Sequence, residues 1–392
     1  MKNNMLPLGI YIHIPFCKSK CHYCDFCSSP SNDVVKERYV SALKKEISSF
    51  VTVNALKNHA VTSIFFGGGT PTQLPAYALP EILETVFCHY CVSNDAEITV
   101  ECNPGTVSYE DLQVLRSSGF NRLSLGLQSA NDNELKVLGR IHSFRDFDVT
   151  YYNARKVGFD NINLDLMYGI PYQTQESFAN TLHTVAKYEP EHISSYALKI
   201  ESGTLFYKER DKLILPDEDC EYNMYKSGIE ILNSLGYKHY EISNFAQKGY
   251  ESRHNLKYWN CDDYVGFGIS SHSCLGTCRY KVTSSLSEYL RYFENSEHNN
   301  ASPYFSLDET LSKEEFAEEY IMMRMRLYDG ISINDYFERF GNGFEEKYLK
   351  KMMPFINSGH IIYSENGKNV RFSDDGMYVS SYILSEILDL GM

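Results

Sequence analysis

Residues 11–24 read YIHIPFCKSKCHYC, a β-like run followed at once by three closely spaced cysteines, Cys17, Cys21 and Cys24. Three thiolates at this spacing suit one iron–sulfur cube, because soft sulfur ligands favour iron and a compact loop can wrap a single cluster. The alternative is a zinc knuckle built on Cys21 and Cys24, although structural zinc sites use four ligands and usually a second cysteine pair. The stretch therefore predicts a [4Fe–4S] site with one iron left open.

From this first strand to about residue 200, short β-like runs alternate with amphipathic stretches, which is typical of parallel βα units. The predicted strands are Gly9–Ile14, Ser63–Phe66, Glu97–Glu101, Arg122–Leu127, Asn161–Met167 and Ile193–Ile200. The predicted helices are Glu37–Phe50, Leu79–Phe87, Tyr109–Ser117, Phe144–Val157 and Ser177–Tyr188. Six repeats favour an α/β fold with a partial (β/α)6 TIM-type barrel, whose active residues lie where the strands end.

The remaining chain predicts two further parts. A helical stretch at 220–235 ends the barrel domain, residues 1–236, and strand-like pieces at 238–243 and 264–269 belong to an extension, residues 237–300. Polar residues 296–303 suggest a linker. Residues 301–392 carry helices near 313–328, 333–340 and 344–356, a hairpin-like pair at 361–363 and 370–372, and a last helix from about 374. This order predicts a helical, winged-helix-like C-terminal module.

Composition narrows the range of partners. The net charge of −14 argues against nucleic acid, whose binding needs a basic surface, and the 43% hydrophobic content supports a large core. No apolar run is long enough to cross a bilayer, and the first residues do not resemble a signal peptide. We therefore expect a cytoplasmic protein that meets membranes only through partners. Its eleven cysteines do not predict a disulfide framework in that compartment.

Further motifs follow the other predicted strands. They are FGGGTP at 66–71, ECNP at 101–104, LGLQS at 125–129, LGR at 138–140 and DLMYGIP at 165–171. Together with the opening stretch, and in this order, they resemble the HemN/HemW branch of the radical-SAM proteins, which use S-adenosylmethionine (SAM). The resemblance covers essentially the whole chain, including the C-terminal module, and the combination of motifs is highly specific.

The resemblance implies that SAM chelates the open iron of the cluster and that one electron from the reduced cluster cleaves SAM to a 5′-deoxyadenosyl radical. It implies SAM contacts from Tyr11, Tyr23, Gly67, Gly68, Gly69, Thr70, Glu101, Gln128, Arg140 and Asp165. The carboxylates of Glu101 and Asp165 would bind the ribose and the amine of SAM, and the guanidinium of Arg140 suits the carboxylate of SAM. The three glycines would let the backbone approach SAM closely. Taken singly, each would more often be a surface group or a turn.

Two functions remain within this branch. One is the oxygen-independent coproporphyrinogen III oxidase, an enzyme that decarboxylates two propionates; the other is a heme chaperone that carries heme to an acceptor hemoprotein. Either would need a reducing electron donor.

Four features favour the chaperone. Phe26 stands where the oxidases have a fourth cysteine, with Cys27 displaced by one residue, and only ten residues precede Tyr11. The HNxxYW signature occupies 254–259, and His272 replaces an apolar side chain of the second SAM site of the oxidases.

The resemblance also suggests a heme ligand. Histidine is a common axial ligand of heme iron, so His254 is the candidate, with Tyr258 and Trp259 available to pack on a porphyrin face. The alternative is that His254 and Asn255 only fix a loop by hydrogen bonds and that Trp259 belongs to the core. Whether the protein is an enzyme stays open at this point.

Overall fold

The computed structural model describes residues 5–53, 56–295, 304–364 and 367–390. Six parallel strands form the centre of one large sheet. They are β1 (Leu6–Ile14), β2 (His59–Gly68), β3 (Val92–Cys102), β4 (Arg122–Gln128), β5 (Ile162–Tyr168) and β6 (His192–Ala197). Each strand pairs in parallel with the next one along the chain. All six predicted strands are therefore confirmed, with shifted ends.

Six more strands extend this sheet at both edges. They are β7 (Lys238–Glu241), β8 (Asn244–Ala246), β9 (Tyr264–Phe267), β10 (His272–Leu275), β11 (Cys278–Val282) and β12 (Phe305–Thr310). β9 runs parallel to β1, and the others are antiparallel to their neighbours. In the described residues, the sheet ends at β12 and β7, which do not pair, so the barrel is open as predicted. The sheet is continuous across the expected division at 236/237, while that at 300/301 falls in residues 296–303, outside the described residues.

Helices connect these strands, and most of them cover the outer face of the parallel strands. They are α1 (Asp33–Val53), α2 (Ala78–His89), α3 (Tyr109–Ser117), α4 (Asp132–Val137), α5 (Phe144–Lys156), α6 (Gln175–Ala186), α7 (Leu205–Glu209), α8 (Glu218–Ser234), α9 (Arg253–Trp259) and α10 (Leu286–Glu294). Capping boxes at Ser108, Ser143 and Thr174 begin α3, α5 and α6, which satisfies free backbone N–H groups of the first turn. None of the helices in the described residues is long and apolar enough to cross a bilayer.

The C-terminal module has its own apolar core. Its elements are α11 (Lys313–Arg324), β13 (Ile331–Ser332), α12 (Ile333–Phe340), a π-helical segment (Phe344–Leu349), α13 (Lys350–Asn357), β14 (Ile361–Tyr363), β15 (Asn369–Phe372), α14 (Asp374–Tyr378) and α15 (Ser380–Leu388). β15 lies between β13 and β14 in an antiparallel sheet, and the turn before it includes residues 365–366, outside the described part. The predicted helices followed by a small hairpin are confirmed.

Side chains alternate between two environments along the central strands, as the pleat requires. On β4, Leu123 and Leu125 belong to the main apolar core. Between them, Ser124 donates a hydrogen bond to Asp165 of β5 at 3.1 Å, and Arg122 is also buried. The barrel therefore has an apolar exterior under its helices and a polar interior, and that interior leads to the ends of the strands.

Candidate cluster and cofactor site

The three cysteines lie in the loop that joins β1 to α1. Cys17, Cys21 and Cys24 are free thiols and are half-buried. The loop is closed at its base, because the N–H of Cys17 donates to the carbonyl of Ser29 at 3.2 Å and the N–H of Ser29 donates to that of Pro15 at 3.0 Å. Three sulfur donors in one loop fit the ligand chemistry of an iron–sulfur cluster. No three His, Cys, Asp or Glu side chains among the described residues are grouped to hold a single metal ion.

The centre of this loop is attached to the connection between α4 and α5. The N–H of His22 donates to the carbonyl of Leu138 at 3.0 Å, and the His22 ring is hydrogen-bonded to the Val137 carbonyl at 3.0 Å. Gly139, with φ of +72°, leaves the space that this ring fills, since a Cβ there would lie 2.6 Å from it. The LGR motif therefore holds the cysteine loop in place, a role that its sequence did not reveal.

Arg140 connects three different strand ends. Its guanidinium donates to the Asn103 side chain, to the Gly126 carbonyl and, at 3.5 Å, to the sulfur of Cys21. Burial lowers the pKa of Arg140, but the neighbouring Tyr23 and Cys21 outweigh burial and the net shift is upward. A planar group with five donors suits this arrangement, because it can serve several acceptors at once.

The carboxylates of two half-buried residues lie below the mouth of the barrel. Glu101 accepts a hydrogen bond from the N–H of Gly68 at 3.2 Å, and Asp165 accepts from Ser124 at 3.1 Å and from Asn163 at 2.8 Å. Burial raises the pKa of Glu101 to about 8, and the charge of Asp165 adds to the increase. Burial also raises the pKa of Asp165, against the hydrogen bonds that it accepts. A cationic ligand would stabilise both ionised forms.

The glycines after β2 make a close approach, but to the chain itself. A Cβ on Gly68, whose φ is +110°, would lie 2.5 Å from the ring of His13, and one on Gly69 would lie 2.7 Å from the Phe16 carbonyl. Gly67 leaves space for the carboxylate of Glu101 in the same way. The sequence-based reason, approach of the backbone to SAM, is therefore incomplete. Contacts within the chain already require these glycines, with β1 and its cysteine loop at Gly68 and Gly69 and with Glu101 at Gly67.

Thr70 and Asn103 link the glycine loop to the cluster loop. The Thr70 hydroxyl accepts from the Asn103 amide at 2.8 Å and lies 3.7 Å from the sulfur of Cys17. Asn103 in turn accepts from Arg140. It belongs to the ECNP motif, so the sequence contained the signal although it indicated no role for Asn103.

Gln128 ends β4 in a left-handed conformation, φ +72°, which is uncommon for a residue other than glycine. A Cβ built on Gly126 would lie 2.8 Å from the side-chain oxygen of Asn103, 3.1 Å from a guanidinium nitrogen of Arg140 and 3.2 Å from the amide nitrogen of Gln128. Three polar side chains thus crowd this position, which leaves room only for glycine.

Tyr11 lies on β1 before the cysteine loop, and Tyr23 lies within that loop, between Cys21 and Cys24. The Tyr11 hydroxyl is hydrogen-bonded to His13 at 3.1 Å, and the other ring nitrogen of His13 is hydrogen-bonded to the Cys27 carbonyl at 2.9 Å. Burial raises the pKa of both tyrosines, and Arg140 opposes the increase for Tyr23. The phenols therefore stay protonated at neutral pH. His13 was not singled out by the sequence, although it stands between the strand and the cluster loop.

His254 lies deeper in the barrel than the cysteines. It is 1% exposed, and its two ring nitrogens are hydrogen-bonded to Ser63 at 3.0 Å and to Tyr258 at 2.8 Å. Its ring stacks on Phe65 with the centroids 5.4 Å apart. Burial, aided by the charge of Lys257, lowers the pKa of His254 to about 3, so the imidazole is neutral. Both nitrogens are occupied within the protein, which is the arrangement that the hydrogen-bonding alternative describes.

The HNxxYW signature forms helix α9 and not a loop. The carboxylate of Glu97 accepts from the N–H groups of Arg253 and His254 at 3.1 and 3.0 Å, which satisfies the first turn of the helix. Gly9 of β1 permits α9 to pack closely on this strand, because a Cβ there would lie 2.8 Å from the side chain of Lys257. Helix α9 therefore packs on β1, β2 and β3 at the inner side of the sheet.

Comparison with known proteins agrees with this fold and site. The Radical SAM superfamily domain matches residues 11–185, and the HemN C-terminal domain matches residues 311–379. The structure of coproporphyrinogen III oxidase (HemN) from Escherichia coli, described as a radical SAM enzyme, aligns with a TM-score of 0.84 over 98% of this chain and 90% of that one. At 23% identity this likeness shows the fold. The chain is a radical-SAM protein, a class that implies a [4Fe–4S] cluster and SAM.

Its relatives define the family more narrowly. Heme chaperone HemW of Buchnera aphidicola subsp. Acyrthosiphon pisum (strain APS) is 35% identical over 91% of this chain and 92% of the relative. Heme chaperone HemW of Bacillus subtilis (strain 168) is 34% identical over 91% and 93%, and that of Escherichia coli (strain K12) is 39% identical over 68% and 70%. The chain belongs to the HemW family, as the sequence resemblance predicted.

Proposed function

We propose that this protein is a heme chaperone that holds a [4Fe–4S] cluster, binds SAM and heme, and delivers heme to an acceptor hemoprotein. The observation that carries the proposal is the convergence of the cysteine loop, Arg140 and the carboxylates of Glu101 and Asp165 at one mouth of the barrel. The relatives named heme chaperone, which match over nine-tenths of the chain, support the cargo. The reducing electron donor would be a separate protein or reagent.

The proposed ligands divide into two groups. The cluster ligands are Cys17, Cys21 and Cys24, and the SAM ligands are Tyr11, Tyr23, Gly67, Gly68, Gly69, Thr70, Glu101, Gln128, Arg140 and Asp165. When bound, the reduced cluster and SAM supply one-electron chemistry. The chain's own part is to orient them: Arg140 and Gln128 offer donors to a carboxylate, and Glu101 and Asp165 offer acceptors to cationic and hydroxyl groups.

For heme, His254 remains the proposed ligand under one condition. A neutral imidazole can ligate iron, but a ring with both nitrogens hydrogen-bonded and 1% exposure offers no lone pair to a large ligand. Coordination by His254 therefore requires that α9 leaves its place against β1 and β2. If heme binds without that movement, another residue is the ligand.

An anaerobic assay of the reconstituted protein with coproporphyrinogen III, SAM and reductant, alongside a heme titration, tests the proposal. We expect heme uptake, seen in its Soret absorbance, without turnover of coproporphyrinogen. Formation of protoporphyrinogen would establish the oxidase alternative. In the same titration, His254→Ala should change the absorbance or affinity of bound heme; an unchanged spectrum and affinity would remove His254 from the proposed ligands.

The cluster is tested separately. Cys21→Ala should abolish the broad visible absorbance of the reconstituted protein and its bound iron, because two thiolates cannot hold the cube. Cys88→Ala is the matched control, since Cys88 is an exposed cysteine at the end of α2 and should leave both unchanged. Full iron content in the Cys21 variant would contradict the assignment.

A further inference from the structure

Arg122, the first residue of β4, is a buried cation with no hydrogen-bond or ion-pair partner in the part of the chain that the structure describes. Its side chain is 2% exposed, yet among the described residues it makes no hydrogen bond and no ion pair, and its Nε is a buried donor with no acceptor. Burying an unpaired charge is costly, and buried donors are almost always satisfied. Arg122 therefore needs an explanation that the neighbouring side chains do not supply.

The surroundings of Arg122 are polar and also incompletely satisfied. Thr99, its register partner on β3, has a buried hydroxyl that makes no hydrogen bond to any described residue. Strand partners in register direct their side chains to the same face of a sheet, so both groups face the barrel interior. Two unpaired polar groups on neighbouring strands are the setting in which proteins hold ordered water.

The positive charge of Arg122 acts on two of the proposed SAM ligands, Glu101 and Asp165. It lowers the pKa values of Glu101 and Asp165, against burial, which raises both. The groups that face Arg122 are Glu101, Asp165, His192, Tyr240 and His254. Those that face Glu101 are Asp165, Arg122, Tyr11, Tyr196 and Tyr258. Arg122 is thus the cation shared by the two carboxylates, although it touches neither.

We propose that Arg122 is a positioning residue of the SAM site, which holds ordered water beneath Glu101 and Asp165 and, through that water, orients and charge-balances the two carboxylates. This inference rests on the SAM site proposed above. Once Glu101 ionises, as the pH rises through about 8, one cation and two carboxylates carry a net negative charge, which suits a ligand with a sulfonium and an amine. Without the cation, the two carboxylates repel each other more strongly, and Glu101 keeps its proton to a higher pH.

The test is the affinity of the cluster-loaded protein for SAM as a function of pH. The wild-type protein should bind SAM more tightly as the pH rises through about 8, the pKa of Glu101. Arg122→Met should bind about tenfold more weakly at pH 7.5, with its midpoint displaced upward by about one pH unit. Arg122→Lys, which keeps the charge, should retain the wild-type midpoint and most of the affinity.

Each outcome bears on the inference. A merely structural role would lower the melting temperature of Arg122→Met but leave affinity and midpoint unchanged, and that result would overturn the inference. If the methionine variant does not fold, a displaced midpoint in Arg122→Lys overturns it. A crystal structure of the wild-type protein with Arg122 in direct contact with Glu101 or Asp165, and no water between them, also overturns it. Absence of SAM binding by the wild-type protein would instead contradict the proposed function.

Discussion

The guanidinium of Arg140 donates a hydrogen bond to the sulfur of Cys21 at 3.5 Å. This contact joins the cysteine loop after β1 to the start of the segment that leads into α5. The same guanidinium contacts Asn103 and the Gly126 carbonyl, so one side chain relates the ends of β3 and β4 to the cluster loop. The position of Cys21 therefore depends on residues far from it in sequence.

Arg140→Lys should loosen the cluster loop although it conserves the charge. An ammonium on a flexible stem cannot reproduce the planar fork that serves three acceptors, and a hydrogen bond from a charged donor contributes roughly 1.5–3 kcal/mol. We expect less iron per chain and faster loss of iron to a chelator. The control is Arg145→Lys, a change at an exposed arginine of α5. Equal iron retention in the two variants would show that charge alone matters at Arg140.

A pair of glycine variants separates steric fit from backbone strain. Gly139 and Gly158 both have positive φ, at +72° and +92°, so alanine costs roughly 1–2 kcal/mol at either position. Only at Gly139 would the Cβ meet a neighbour, the His22 ring at 2.6 Å, whereas Gly158 has nothing within 4 Å. Gly139→Ala should therefore lose most of its iron while Gly158→Ala keeps it.

Iron analysis after reconstitution, with circular dichroism to establish folding, gives the measurement. If both alanine variants load iron as the wild-type protein does, the contact between His22 and the LGR motif does not hold the loop.

The strands were predictable because their side chains alternate in a way that burial explains. Leu123, Leu125 and Leu127 of β4 all enter the apolar core, and the sequence carries that pattern locally. Helix α9 was not predicted, because its seven residues have no apolar stripe of their own. Glu97 of β3 supplies acceptors to its first turn, and such a distant partner leaves no local signal.

The residues of the candidate site also fall into two groups, those that sequence motifs identify and those that only the structure identifies. The cysteines and Arg140 stand in recognisable motifs, so sequence sufficed to select them. His13 and Asn103 act only through contacts between strand ends, such as the 2.9 Å hydrogen bond from the His13 ring to the Cys27 carbonyl. Arg122 is an ordinary polar residue in sequence, and only its burial without a partner distinguishes it.

Glu97→Ala should destabilise the packing of α9. It would leave the N–H groups of Arg253 and His254 buried without their acceptor, which costs about 1–3 kcal/mol. The matched control is Asp95→Ala. The Asp95 side chain is 80% exposed and its carboxylate lies 3.5 Å from the guanidinium of Arg253, so its removal should change the free energy of unfolding by about 0.5 kcal/mol or less. Urea unfolding of both variants provides the comparison. Equal destabilisation by the two changes would mean that Glu97 does not anchor the helix.

A buried carboxylate on α1 should make stability depend on pH. Glu46 is 1% exposed and accepts hydrogen bonds from the Tyr289 hydroxyl at 2.6 Å and the Gly268 N–H at 2.8 Å. Burial nevertheless raises its pKa from 4.5 to about 7. Because the folded protein holds this proton more tightly than the unfolded chain, Glu46 lowers the free energy of unfolding progressively as the pH rises from about 4.5 to about 7, by about 3 kcal/mol at most.

Glu46→Gln keeps an acceptor for Tyr289 and Gly268 but cannot ionise. The difference in free energy of unfolding between Glu46→Gln and wild type should therefore shift in favour of the variant between pH 5 and pH 8, and level off above that. Other buried groups, such as Glu101 and Glu241, titrate in both proteins and cancel in this difference. Glu81→Gln, which removes a half-exposed carboxylate paired with Lys44, should give no such trend. If the free energies of unfolding of Glu46→Gln and wild type change in parallel with pH across this range, the carboxyl of Glu46 does not change its protonation on unfolding.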